Sequence, residues 1–370
     1  MMADASSTSQ IPLPCLKTGP IYEMKLPLNV TIFMYIFFTP IEMLNSEKAA
    51  ECLFYTLVAF EFTPMILYVA VTPLAVGTIY KYACFHKNFV RICIFYICHG
   101  TVYVVGRSLV FLHEIEVFST TGDLQRDSSL LIGSFLRVYF LYICMCSMSS
   151  LVAERAAATF FVSDYDGKKR RYISCNLMIF SLIESLLLSP LAGVIGSKWC
   201  LGFCVLQFLA TMIMFIGLRR RNARSLTRMN RLHVWGLRYS LPVKYQVKEN
   251  VRSFNIFLRI LLISGAFVLA ATAVSFPSRS ACTPSERVLL RALFNIFVAY
   301  GMMGSTLSIL LCMPMARVSF FRLLGLSSLF SQLRRFLRDQ RLLSVSPQPQ
   351  KIKKPPVAIF TSNNFVKRGD

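Results

Sequence analysis

Residues 254–276 read FNIFLRILLISGAFVLAATAVSF and contain a single charged side chain, Arg259. A helix rises about 1.5 Å per residue and the hydrocarbon core of a bilayer is about 30 Å thick, so this stretch is long enough to cross a membrane. Six other apolar stretches reach the same length, at about 52–80, 89–112, 130–152, 173–195, 199–218 and 288–314. Only helices satisfy the backbone inside lipid at such lengths. The sequence therefore predicts an all-α membrane protein, a seven-transmembrane helix bundle.

The composition supports this prediction. The hydrophobic fraction is 55%, the mean hydropathy is +0.55 and only 16% of the residues are charged, which is too apolar for a soluble domain of 370 residues. The fourth span holds Glu184, which costs about 3 kcal/mol on insertion scales. Its twelve Leu, Ile, Val and Phe residues return about 0.3 to 0.6 kcal/mol each, so insertion is still favoured.

The basic residues predict the orientation of the bundle. Of the 40 Lys and Arg residues, 29 lie in 81–91, 155–171, 219–252 and the tail from Arg317, which all fall on one side of the membrane. The connections on the other side carry seven. Positive loops face the cytoplasm, so we expect the N-terminus outside and the C-terminus in the cytoplasm. Because these charges flank membrane spans, the lipid bilayer is the expected partner and nucleic acid is not.

The first 51 residues are predicted to form an extracellular N-terminal segment. Residues 30–41 are apolar but contain Pro40 and are too short to span, so we expect them to lie on the membrane or to cap the bundle. Asn29 begins a glycosylation sequon, Asn-Val-Thr. Residues 1–14 lack the pattern of a cleavable signal peptide, so the first span should act as the signal anchor.

The chain carries few residues suited to catalysis or metal binding. Its four histidines are not spaced as metal ligands, and it has no phosphate-binding glycine loop or nucleophile elbow. We therefore expect neither an enzyme nor a metal or cofactor site. Four cysteines fall on the predicted outer side, and any disulfide pairing among them is left open. They are Cys15, Cys52, Cys200 and Cys282.

Ionisable residues inside the spans are candidates for function, because a charge in hydrocarbon needs a partner or water. Glu61, Arg107, Arg137 and Arg291 fall in the predicted outer halves of the spans, and Glu184 falls near mid-depth. The excess of cations could line a pocket for an anionic or strongly polar ligand. The commoner use of such residues is packing, with Glu61 and Glu184 each paired to an arginine while Arg107 and Arg291 reach the interface.

An acidic residue and an arginine, Glu154-Arg155, end the third span on the predicted cytoplasmic side. They begin ERAAATFF at 154–161, and further patches read FHKNF at 85–89, DYD at 164–166, RYSL at 238–241 and KYQVKEN at 244–250. With the hydropathy profile over about residues 45 to 315, these patches resemble the nematode chemoreceptors of serpentine receptor class epsilon.

The resemblance implies a G-protein-coupled receptor in the plasma membrane of sensory neurons. Such a receptor binds an external small-molecule ligand and activates a heterotrimeric G protein. The resemblance also implies that Glu154 and Arg155 couple the receptor to the G protein. Further members of this coupling surface are Tyr239, Tyr245, Glu249 and Asn250. A membrane transporter or ligand-gated channel is the alternative, although no similarity between halves favours it.

The chain departs from rhodopsin-like receptors at some positions. Ala156 stands where an aromatic residue usually follows the arginine, and no proline lies between Asn295 and Tyr300 in the seventh span. These departures leave the activation mechanism open. After the last span, hydrophobic residues at helical spacing predict an amphipathic cytoplasmic helix at 316–341, and the proline-rich remainder, 342–370, is expected to be a disordered tail.

Overall fold

The computed structural model describes residues 21–25, 31–35, 48–82, 85–121, 123, 125–161, 170–194, 197–234, 241–280 and 283–325. Asn29, Tyr239 and the stretch from residue 326 onward lie outside the described residues. Within them the chain forms two strands and eight helices. These are β1 Ile21–Lys25, β2 Thr31–Tyr35, α1 Lys48–Tyr82, α2 Lys87–Glu114, α3 Ser128–Phe160, α4 Arg171–Val194, α5 Ser197–Val234, α6 Leu241–Ser280, α7 Pro284–Cys312 and α8 Pro314–Leu323.

The structure confirms an all-helical membrane bundle. Among the described residues, six helices, α1 to α4, α6 and α7, are long and apolar enough to cross a membrane. The predicted fifth span, 199–218, lies within α5, which continues into an arginine-rich stretch. With 38 residues, α5 is about 57 Å long and extends well beyond the thickness of a bilayer.

A β-hairpin precedes the bundle, and the sequence-based expectation missed it. β1 and β2 pair antiparallel, with Ile21 opposite Tyr35 and Lys25 opposite Thr31, and β2 lies against α4. The β2 sequence TIFMY is rich in β-branched and aromatic residues, which favour a strand. The apolar run that begins at residue 30 therefore contains a hairpin strand, and the fold is helical with this one addition among the described residues.

Local capping explains where several helices begin and end. Pro284 occupies the first turn of α7, and Thr283 and Glu286 form a reciprocal capping box before it. The His86 side chain accepts a hydrogen bond from the Asn88 backbone at the start of α2. After α8, Gly325 adopts a φ of 67°, a conformation that glycine reaches without steric cost.

Two helix pairs, α2 with α3 and α6 with α7, make the most extensive contacts of the bundle. Gly106 and Gly133 permit the first approach, since a Cβ on either residue would lie 2.9 Å from the carbonyl oxygen of the other. α3 also contacts α4, α5 and α6, while α7 contacts α1. α2 contacts α1, α4 and α7 in addition to α3, so α2 and α3 between them contact each of the other helices from α1 to α7.

The apolar core has two main parts, both built from buried side chains of several helices. One lies toward the predicted cytoplasmic end and includes Phe89, Leu151 and Phe254. The other lies toward the predicted outer end and includes Met65, Tyr103, Phe140, Ile143 and Met302. Charged residues sit beyond both, so the core separates two polar clusters.

Candidate functional site

Glu154 and Arg155 lie near the end of α3 with side chains that are almost completely buried. Arg155 Nε donates to one Glu154 oxygen at 2.5 Å and Nη2 donates to the other at 2.6 Å. A bidentate pair of this kind neutralises both charges and fixes the guanidinium plane. The guanidinium carbon Cζ of Arg155 lies 5.1 Å from the centre of the Phe89 ring.

The remaining Arg155 nitrogen reaches α6. Its Nη1 donates to Asn250 Oδ1 at 3.2 Å and to Ser253 Oγ at 3.3 Å. The Asn250 amide donates in turn to Asn222 Oδ1 on α5 at 3.3 Å, and Asn222 donates to Thr159 Oγ1 on α3 at 2.9 Å. A chain of hydrogen bonds that includes Arg155 thus connects α3, α5 and α6.

The first turn of α2 joins the same cluster. The His86 backbone N–H donates to Glu249 Oε1 on α6 at 2.7 Å, and His86 Nδ1 lies 3.8 Å from Glu154 Oε1. In the predicted orientation, the ends of α2, α3, α5 and α6 that meet here face the cytoplasm. We call this set the Arg155 network; its members are His86, Glu154, Arg155, Thr159, Asn222, Glu249, Asn250 and Ser253.

The structure brings together four of the six residues that the sequence suggested for this surface, namely Glu154, Arg155, Glu249 and Asn250. Tyr245 is not part of the network, because its side chain is 63% exposed. Tyr239 lies outside the described residues.

Sequence reasoning missed four members of the Arg155 network: His86, Thr159, Asn222 and Ser253. Asn222 stands among arginines, so its burial carries no signal in the composition. Ser253 follows Asn250 by three residues, a spacing that puts both on one helix face, and that spacing could have identified it. Gln246 lies on the same face, four residues before Asn250, and its buried amide has no hydrogen-bond partner within the described part of the chain.

A second polar cluster occupies the predicted outer end. Arg107 is buried and donates through Nε and Nη2 to the two Glu61 oxygens, at 2.5 and 3.1 Å. Its Nη1 donates to Glu114 Oε2 at 2.7 Å. The packing interpretation expected Arg107 to extend to the membrane interface. The structure shows instead that it binds Glu61 and Glu114 inside the bundle. It tethers α1 to α2, and because residues 107 and 114 lie two turns apart they share one face of α2.

Arg137 and Arg291 belong to the same end of the bundle. Arg137 Nη2 donates to Asn295 Oδ1 at 2.6 Å, which joins α3 to α7. The charge of Arg291, one turn before Asn295, interacts with those of Arg137 and Glu114. The residues that the sequence suggested for a pocket thus come together on α1, α2, α3 and α7, with the exception of Glu184. We call Glu61, Arg107, Glu114, Arg137, Arg291 and Asn295 the outer cluster.

Glu184 lies elsewhere and pairs with no arginine in the described residues. Its Oε1 accepts a hydrogen bond from Gln207 Nε2 at 3.0 Å, which joins α4 to α5. Two hydrogen bonds between hydroxyl groups lie in the same part of the bundle. Ser149 on α3 pairs with Thr211 on α5 at 2.9 Å, and Ser150 on α3 pairs with Ser181 on α4 at 2.7 Å. The expected Glu184–arginine pair is therefore wrong, and this carboxylate serves contacts among α3, α4 and α5 instead.

Neither cluster has the composition of a metal centre. Within the part of the chain that the structure describes, no group of three His, Cys, Asp or Glu side chains could hold a metal ion. The geometry suits recognition and conformational change: guanidinium groups are held by carboxylates and amides at two ends of the bundle. Arg137 and Arg155 are 18 residues apart on α3, which places them about 27 Å apart along the helix.

Comparison with known proteins decides the family. The profile described as "Sre G protein-coupled chemoreceptor" matches residues 28–351, most of the chain. This chain belongs to the Sre chemoreceptor family. The resemblance noted in the sequence is thereby confirmed, and the protein is a multi-pass membrane protein of a receptor family.

Individual Sre relatives are distant in sequence. Serpentine receptor class epsilon-1 of Caenorhabditis elegans is 26% identical over 281 residues, 72% of this chain and 77% of the relative. Class epsilon-21 from the same organism is 29% identical over 231 residues, 61% and 60% of the two chains. Class epsilon-38 is 19% identical over 341 residues and covers 85% of this chain and 90% of its own. The matched region of the Sre profile includes both polar clusters.

Proposed function

We propose that this protein is a chemosensory receptor of the sensory-neuron plasma membrane, which binds an external small molecule and activates a heterotrimeric G protein. Family membership supports the receptor role. The distribution of basic residues supports an orientation with the N-terminus and the outer cluster outside and the Arg155 network in the cytoplasm. The ligand acts by favouring one conformer of the bundle.

The Arg155 network carries the proposal. Arg155 is fixed by Glu154 on its own helix and by Asn250 and Ser253 on α6. Separating α3 from α6 breaks the two bonds to α6 and exposes guanidinium donors at the cytoplasmic surface. Those donors are suited to the backbone carbonyls of a partner helix, because guanidinium groups offer several N–H bonds at once. The described state is therefore the resting one, with the coupling arginine covered.

Substitution of Asn250 tests this proposal without knowledge of the ligand. Asn250→Ala removes a hydrogen bond to a charged group, worth about 1.5 to 3 kcal/mol, so the open conformer should become about 10-fold to 100-fold more populated. We expect higher ligand-independent nucleotide exchange on a G protein in receptor-containing membranes. Asn230→Ala, at an exposed position of α5, is the matched control and should leave exchange unchanged.

A second variant checks the role of the arginine itself. Arg155→Ala should abolish exchange in the Asn250→Ala background while the double variant still reaches the cell surface. Unchanged exchange in both variants at normal surface expression would contradict the coupling role. A ligand-dependent current in cells without G proteins would instead favour the channel alternative.

The orientation has its own test. An epitope at the N-terminus should be accessible on intact cells and one at the C-terminus only after permeabilisation. Glycosylation at Asn29, seen as a mass shift removed by glycosidase and by Asn29→Gln, is expected for an external N-terminal segment. Labelling of the C-terminal epitope on intact cells would contradict the proposed orientation.

A further inference from the structure

The fifth helix continues beyond the predicted membrane span as an arginine-rich extension. The predicted span ends at Leu218, and α5 continues to Val234, which adds about 24 Å of helix. This extension carries six arginines, while the whole of α5 contains no aspartate or glutamate. All six arginines are exposed. A helix surface of one charge sign attracts partners of the opposite sign.

Five of these arginines form a stripe on one face of α5. Each lies three or four residues from another member, the spacing of side chains that are neighbours on a helix surface. The buried side chains Phe215, Leu218 and Asn222 follow the same spacing on the face that packs into the bundle. The five arginines therefore lie on the outer face. We call this set the arginine stripe; its members are Arg220, Arg221, Arg224, Arg228 and Arg231.

The described part of the bundle supplies no carboxylate to the arginine stripe. α5 contacts α3, α4 and α6, and the acids of these helices near this end are Glu154 and Glu249. Both Glu154 oxygens accept hydrogen bonds from Arg155, and Glu249 accepts one from the His86 backbone. The stripe has an aromatic contact instead, since Arg221 Cζ lies 5.0 Å from the centre of the exposed Phe160 ring. Its charge is available to a partner outside the bundle.

The same face of α5 is apolar within the predicted span. Leu206, Ile213 and Arg220 follow one another at intervals of seven residues, about two helical turns, and so lie on one face. Leu206 and Ile213 are 66% and 73% exposed, as expected for side chains that contact lipid chains. This face changes from apolar to cationic at the end of the predicted span. It is complementary to a molecule with acyl chains and an anionic head group, which is a phospholipid.

The length of the arginine stripe favours one kind of anionic lipid. The head-group layer of each leaflet is about 5 to 7 Å thick. Arg231 follows Arg220 by eleven residues, about 16 Å along the helix, so the stripe extends beyond that layer. The charged groups of phosphatidylserine lie within it. A phosphorylated inositol ring carries further phosphates at a greater distance from the membrane, and guanidinium groups bind phosphate with two hydrogen bonds.

We propose that the arginine stripe binds the head group of phosphoinositides in the cytoplasmic leaflet. The ring phosphates accept hydrogen bonds from Arg220, Arg224 and Arg228, and the acyl chains lie along Leu206 and Ile213. Clusters of basic residues just beyond a membrane helix are suited to such lipids. The site is separate from the proposed ligand binding and G-protein activation. It rests on the proposed orientation, which places the stripe at the leaflet that contains these lipids.

Native mass spectrometry of the full chain in detergent micelles tests the proposal, because it counts the lipid molecules bound to the protein. The probes are phosphatidylinositol bisphosphate, phosphatidylinositol and phosphatidylserine with identical acyl chains, together with free inositol trisphosphate. We expect the bisphosphate lipid to bind at least about tenfold more tightly than the lipids without ring phosphates. It should also exceed the free head group, which lacks acyl chains. Micelles expose both ends of the protein, so the result does not depend on orientation.

Two matched triple variants locate the site. Arg220→Gln, Arg224→Gln and Arg228→Gln together should weaken binding about a hundredfold, from about fivefold for each arginine near an anionic surface. Glutamine forms helices about as well as arginine, so this variant should keep the wild-type melting temperature. The control removes three charges at exposed positions elsewhere on the predicted cytoplasmic side. It combines Lys81→Gln, Lys87→Gln and Arg322→Gln, and its binding should stay within about threefold of wild type.

Each outcome has a definite meaning. Selective binding of the bisphosphate lipid that the stripe variant weakens and the control variant retains supports the proposal. Equal binding of the three lipids, equal binding of the free head group, or equal losses in the two triple variants overturns it. Stripe-dependent capture of a polyglutamate peptide without lipid binding also overturns it and assigns the stripe to an acidic protein segment. The assay contains neither ligand nor G protein, so failure of the proposed receptor function would leave its result unchanged.

Discussion

Arg107→Met is expected to be the most destabilising single substitution of the outer cluster. Methionine has a similar length and no charge, so the change removes the guanidinium while it preserves much of the packing. The substitution leaves Glu61 and Glu114 without their common partner. Glu61 is completely shielded from solvent. Both carboxylates then bear an uncompensated charge or must take up a proton.

The expected magnitude follows from this geometry. Removing one partner of a buried ion pair costs about 3 to 5 kcal/mol, because the other charge stays buried. On the scale of soluble domains, about 2 to 4 °C per kcal/mol, the melting temperature should fall by at least about 6 °C. Glu61→Gln should behave differently. It takes the set of one guanidinium and two carboxylates from a net charge of −1 to zero and leaves the bond to Glu114, so a cost of about 1 kcal/mol is expected.

The assay is thermal unfolding of the purified receptor in nanodiscs, followed by size-exclusion fluorescence. Arg126→Met is the control, since that side chain is exposed and surface substitutions usually change stability by less than about 0.5 kcal/mol. The reasoning fails if Arg107→Met melts within 2 °C of this control, or if Glu61→Gln is as damaging as Arg107→Met. Either result would mean that the charges are hydrated rather than held by one another.

Three further changes test other contacts of the fold. Gly133→Ala should cost about 1 to 3 kcal/mol of stability, because its Cβ would lie 2.9 Å from the Gly106 carbonyl oxygen. Gly77→Ala is the control and should be tolerated, since a Cβ there would have no atom within 4 Å. Equal melting temperatures for the two variants would refute the close approach of α2 and α3. Thr283→Ala should cost about 1 kcal/mol through loss of the α7 cap, and Thr283→Ser should restore the melting temperature. Glu184→Gln should raise membrane yield, since it removes an acid from the fourth span; a lower yield would show that the carboxylate is required.

The helical part of the fold could be predicted from the sequence because hydrophobic length alone determines where a chain can cross a bilayer. Five predicted spans fall inside one observed helix each, namely those in α1, α2, α3, α5 and α6, whereas 173–195 ends one residue past α4 and 288–314 ends two residues past α7. The ends of the helices were harder to predict. α5 and α6 continue far beyond the apolar stretches, since arginine and lysine are good helix formers in water.

The hairpin could not be obtained from the same signal. A run such as Thr31–Tyr35 is too short for periodicity to distinguish a strand from a helix, and pairing with Ile21–Lys25 is a contact across the chain that no local pattern encodes. The search for membrane spans also favoured a helical interpretation of every apolar run. β-branched and aromatic composition was the signal that pointed the other way.

The sequence identified most of the ionisable residues of the candidate sites, but not which of them bind one another. Which residues lie inside the spans follows from counting, so Glu61, Arg107 and Arg137 were found. Which carboxylate meets which guanidinium depends on helix rotation and depth. Arg107 takes both Glu61 and Glu114, whereas Glu184 faces Gln207. Glu114 lies beyond the predicted second span, which ends at residue 112, yet α2 continues to it and it is buried.

The two clusters are connected through well-packed helices, which bears on how a ligand could act. Arg137 holds α7 through Asn295, and Arg155 holds α6 through Asn250, while α6 and α7 are themselves joined along their length. Ser264 and Ser305 hydrogen-bond across that pair at 2.7 Å. In the proposed receptor, a ligand that shifts α7 against α3 changes the contact between Arg137 and Asn295. Because α6 is packed on α7, the same displacement acts on the bonds between α3 and α6 about 27 Å away. Loss of the α6–α7 contact should therefore uncouple ligand binding from nucleotide exchange while both still occur.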